Sequence, residues 1–61
     1  MNRYWYVDVD IKNGTDVPSK IFRFEKDARA CYDNIQLTAS VIYKSLSVST
    51  DNGDITVESE G

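Results

Sequence analysis

The 61-residue chain contains no histidine, a single cysteine and only three glycines, none of them adjacent. Lack of histidine removes the side chain that most often carries protons near neutral pH, and with it the Ser-His and Cys-His pairs of nucleophilic catalysis. One thiol, Cys31, rules out a disulfide within the chain, and one Cys without His leaves no ordinary structural zinc site. Its expected role is that of a small hydrophobe in the core. Isolated glycines form no phosphate-cradling loop. No apolar run approaches the roughly 20 residues that span a bilayer. No basic stripe is present, so direct binding of DNA or RNA is not expected. A lone thiol, and a strand pattern entered at once after Met1-Asn2-Arg3 with no export signal, point to a reducing cytoplasm.

The carboxylates form no catalytic or metal set either. Asp8-Val9-Asp10 followed by Asn13-Gly14 approximates the spacing of a calcium loop, but Asn13-Gly14 arrives one residue late and the closing bidentate Glu is missing. Alternation puts Asp8 and Asp10 on one solvated strand face. A chain this short has no wall for a substrate cleft. The expectation is a non-enzyme without metal or cofactor.

What the chain does have is alternation and turn chemistry. Two Asn-Gly pairs, Asn13-Gly14 and Asn52-Gly53, each lie between runs of alternating apolar and polar residues. Asn-Gly suits a two-residue hairpin, where both central positions need φ > 0. From Tyr4 to Lys12 the pattern predicts a first strand with Trp5, Val7, Val9 and Ile11 toward the core. Residues Asn13–Ser19 make a connection that Pro18 closes. A second strand, Lys20–Phe24, turns Phe22 and Phe24 inward.

Ala28, Cys31, Tyr32 and Ile35 recur at helical spacing, predicting one helix over about Glu25–Ala39 with Phe24 stapled over Ala28. Glu25 and Asp27 suit its positive end. Val41–Thr50 reads as a third strand with Ile42, Leu46 and Val48 inward. Lys44 interrupts that alternation, suggesting an edge, a bulge or a stem reaching solvent. A last short strand turns Ile55 and Val57 in and Thr56 and Glu58 out, and Ser59–Gly61 is expected to fray. The expected fold is α+β: a single ββαββ domain, a four-stranded antiparallel sheet in order 2-1-3-4 with one helix on one face.

At this length a core is only just large enough to hold a chain folded alone. With disulfide and zinc excluded, self-association is the remaining common support, and a homodimer is one expectation. Two surfaces stand out as interaction candidates. The sheet face away from the helix carries Tyr4, Tyr6, Ile21, Arg23 and Tyr43 beside Asp8 and Asp10. Tyrosine is a good strand former at ease in water, yet Tyr and Arg are also enriched where proteins bind one another. The second surface is acidic. Net charge is −3, and residues 51–61 hold Asp51, Asp54, Glu58 and Glu60 with no base. That end is either a charged edge strand that resists aggregation or a patch that docks on the basic channel of a nucleic-acid-binding enzyme.

A very short acidic chain with no catalytic set, opening directly into a strand, resembles the small phage-encoded proteins that block host defence enzymes, the anti-CRISPR group among them. The resemblance rests on size, charge and strand-helix-strand make-up and carries no individual residues. It implies a non-catalytic inhibitor that covers a functional surface of a larger protein. The alternatives are a homodimeric accessory protein and a domain binding a nucleotide-sized ligand on the open face.

Overall fold

Strict alternation with Trp and β-branched residues makes Trp5–Ile11 a strand, β1, at the centre of the sheet. The computed structural model describes residues 3–61; Met1 and Asn2 lie outside the described residues. After β1 come β2 (Lys20–Phe22), the helix α1 (Glu25–Asn34), β3 (Val41–Thr50) and β4 (Gly53–Glu60). The four strands form one antiparallel sheet in order β2-β1-β3-β4, as the sequence predicts. β2 and β3 both run antiparallel to β1 and so parallel to each other, which is why a helix must bridge them. No helix among the described residues is long and apolar enough to cross a membrane.

Register assigns the faces. Trp5 lies opposite both Phe22 and Val48, and Val7 lies opposite Leu46. These side chains face α1, whose Ala28 and Tyr32 close a core with Val7 and Leu46. Trp5, Phe22, Cys31 and Ile35 pack around it, partly buried. Leu46 is 0% exposed and Tyr32 is 1% exposed.

Several sequence expectations need correction. The helix stops at Asn34, five residues short of Ala39, because Ile35 is already extended at φ −79 and ψ 123. From there apolar residues repeat every second position: Ile35 and Leu37 are half-buried while Gln36 and Thr38 are exposed. Thr38 Oγ1 then accepts the backbone N–H groups of Ser40 and Val41 and turns the chain into β3. β2 is only three residues long, so Phe24 falls outside it, takes the helix N-cap position with extended backbone, and is 67% exposed rather than stapled inward.

Two β-bulges displace the other expected core residues. Asp10 faces Tyr43 but Ile11 faces Val41, which leaves Ile42 unpaired and exposed. In β4, Ser47 faces Thr56 but Leu46 faces Glu58, so Val57 is the extra residue. The extra residue shifts the side-chain parity by one. Glu58, expected outward, lies on the helix side with Glu60, and Ile55 and Val57 stay largely exposed. Nor does the end fray, since Ser59 and Glu60 pair with Ser45 and Lys44.

The hairpin glycines behave differently from the expected two-residue turn as well. Among the described residues only glycines have positive φ, and the two in the turns are Gly14 at 80° and Gly53 at 113°. Asn13 and Asn52 therefore do not adopt the doubly left-handed turn. Asp51 and Asn52 connect the paired residues Thr50 and Gly53, with the glycine absorbing the left-handed step.

Candidate functional site

On the face away from α1, the register joins Tyr6 to Ile21 on one side and to Ser47 on the other. Tyr4 continues this corner: its N–H donates to Ser49 Oγ at 3.0 Å and its carbonyl accepts the Ser49 N–H at 2.8 Å. Tyr4 and Ile21 are exposed, Ile21 at 61%, and Tyr6 is half-buried between them. These three form one apolar and aromatic corner, since cross-strand neighbours lie about 5 Å apart.

The remaining members of the face stand elsewhere. Tyr43 lies opposite Asp10, four residues along β3 from Ser47 and hence about 13 Å away. Asp8 and Ser45 occupy the row between, and the Ser19 hydroxyl donates to Asp8. Arg23 follows β2 in a bend and is exposed, outside the strand pairing that fixes the other side chains. The structure thus assembles a Tyr4–Tyr6–Ile21 corner and a separate Asp10–Tyr43 pair.

The four acids at the C-terminal hairpin are divided by the Val57 bulge. Asp51 sits in the turn and Asp54 lies opposite Ser49, whereas Glu58 and Glu60 stand on the helix side. Glu58 there meets Arg29 of α1 at 3.3 Å, and Arg29 also reaches Glu25 at 3.5 Å, one helical turn back. Among the described residues no group of three or more Cys, Asp or Glu side chains is placed to hold a metal ion.

The helix side holds an arrangement that sequence reasoning missed. Lys44 obeys the strand alternation after all and points beneath α1, where it is 5% exposed. Its ammonium donates to the carbonyls of Tyr32 and Ile35, 2.8 Å each, and sits 4.2 Å from the centre of the Tyr32 ring. These carbonyls belong to the negative end of the helix, which has no basic residue in its own last turn. That missing cation, together with a lysine at an inward strand position, was the signal available in the sequence.

The Tyr32 hydroxyl is buried without a hydrogen-bond partner. Burial pushes the Tyr32 phenol above its ordinary pKa, and the charges of Glu58 and Glu60 add to the effect. The folded state therefore holds this proton more tightly than the unfolded chain does. Stability is complete below about pH 10 and falls as pH rises through the raised folded-state value. Tyr32→Phe deletes the unmet hydroxyl and keeps the ring over Lys44, so it is expected to stabilise by about 1 kcal/mol. Urea unfolding between pH 8 and 11 checks both effects: the variant starts higher and loses less on the alkaline side.

A cleft of 230 Å³ opens where the short helix stops covering the sheet, walled by Val7, Val9, Val17, Pro18, Ile35 and Val41 with Lys20 as its one charged residue. It lies on the helix side, not on the open face. Compared with protein-family models, with curated proteins and with solved structures, the chain matches none.

Proposed function

We propose that the chain is a non-catalytic protein-binding module, an inhibitor that occludes a functional surface of a larger protein in the manner of the phage-encoded inhibitors it resembles. The observation that carries this reading is the uncovered sheet face, where Ile21, Tyr4 and Tyr6 adjoin on a rigid scaffold. One helix leaves that face without a partner, and apolar and aromatic side chains held by a sheet lose little entropy on docking. Asp8, Asp10 and Tyr43 extend the contact polar-side down, and Arg23 flanks it. The partner is a larger cytoplasmic protein, a host defence enzyme that handles nucleic acid being the class the resemblance implies.

Tyr6→Ala tests the reading. Capture of a partner from bacterial lysate by the tagged chain is expected to weaken about tenfold or more, while the thermal midpoint falls by only a few degrees because Tyr6 lies outside the core cluster. Loss of binding and of folding in equal measure counts against it. The alternative is a homodimer joined through the same uncovered tyrosine face. Sedimentation across a concentration series separates the two readings, because a strict monomer removes the second. A nucleotide-sized ligand gains little support: the cleft lies on the helix side, not the open face, and its apolar walls offer a phosphate only Lys20.

A further inference from the structure

The outer edge of β4 is eight residues long, exposed throughout and unpaired in the sheet order. Such an edge offers backbone N–H and C=O groups to any extended chain of suitable composition. Charge decides which chain that is. Residues 51–61 carry Asp51, Asp54, Glu58 and Glu60 and no base. Two copies meeting edge to edge would bring three strand carboxylates from each, Asp54, Glu58 and Glu60, into one ladder, and like charges across a strand pair repel.

The helix-side flank adds a more specific observation. Glu60 lies directly opposite Lys44 in the β3–β4 ladder, the arrangement expected to give a cross-strand ion pair. Lys44 instead turns its ammonium to the Tyr32 and Ile35 carbonyls. Among the described residues Glu60 has no cation within ion-pair distance. An anionic group without a cation therefore flanks this stretch of open edge.

We infer that the free edge of β4 pairs with an extended basic segment of another protein, which adds a fifth strand and places lysine or arginine beside Glu58 and Glu60. Glu58 and Glu60 lie two residues apart on one side of the bulge, so the incoming basic residues stand at alternate positions with a small or polar residue between them facing Ser59. Nearer the turn, Ile55 and Val57 offer exposed apolar contact to β-branched residues of the same segment. This goes beyond the open-face reading and does not depend on it.

The probe is a synthetic capped peptide of eight residues alternating lysine with valine and threonine. Titration followed by backbone amide shifts and by hydrogen exchange is expected to show saturable binding and slowed exchange across β4. Combined Glu58→Gln and Glu60→Gln is expected to weaken binding about tenfold, as is raising salt from low to high concentration. Tyr6→Ala is expected to leave it unchanged, which separates this edge from the open face. Two control peptides complete the test. A glutamate version is expected not to bind, and a version N-methylated at alternate amides keeps the charge but is expected not to pair. Equal binding by the methylated peptide would overturn strand addition in favour of plain charge attraction. No binding by the lysine peptide, or a dimer whose β4 amides are protected without any peptide, would overturn the inference outright.

Discussion

Leu46→Ala is expected to leave most of the chain unfolded at 25 °C. Leu46 is fully enclosed between Val7, Tyr32 and Ala28, at the one place where both layers of the fold meet. Truncating a buried leucine costs about 2–5 kcal/mol, through lost transfer energy and the cavity left behind. A domain of this size rarely has more than about 3–5 kcal/mol to lose. Phe24→Ala removes a larger side chain and is expected to change stability by less than about 1 kcal/mol, because Phe24 is mostly exposed. Urea unfolding monitored by circular dichroism checks the pair. Similar losses for both would mean that Phe24 is packed in solution and that the core is wider than the enclosed cluster.

That contrast marks the limit of what the residues disclose. The strand order was readable because Trp5, Val7 and Val9 alternate without a fault, and because a helix pattern stands between two strand pairs. The bulges were not. An extra residue in a ladder changes which face Ile42, Val57 and Glu58 occupy without changing local composition, and it is set by pairing across strands rather than by anything within one. The helix end was misread: the apolar period switches from helical spacing to alternation at Ile35 and Leu37, but Ile35 satisfies both patterns and carries the expected helix on to Ala39.

The candidate surface was legible to a similar degree. Tyr6 and Ile21 share a face on any antiparallel pairing of the first two strands that keeps Trp5 and Phe22 inward. The distance from Tyr6 to Tyr43 depends on the β1–β3 register, which alternation alone leaves free by steps of two residues. The sequence therefore supports the composition of the open face, while its division into an aromatic corner and an Asp10–Tyr43 pair needs the ladder.

Lys44→Met is expected to lower the thermal midpoint by roughly 10–20 °C, on the scale of 4–8 °C per kcal/mol for a domain this small. Methionine keeps the length of the stem and fills the same space, so the change isolates the ammonium. Three terms compete. Removing a buried charge relieves its desolvation, which favours the variant. Against that, two charge-assisted hydrogen bonds are lost, each of the class that contributes about 1.5–3 kcal/mol. The two carbonyls do not suffer equally: the Tyr32 carbonyl still accepts the Ile35 N–H at 3.2 Å, whereas the Ile35 carbonyl has no other donor among the described residues and faces a partly buried site. The net expectation is a loss of about 2–3 kcal/mol, because one acceptor is stranded and the helix end loses the cation that its own last turn lacks. Fluorescence or circular dichroism melts measure it, and amide exchange should locate the loosening at Tyr32–Ile35 before the rest of the sheet. An unchanged midpoint would mean that the helix end is solvated and that Lys44 holds nothing in place there.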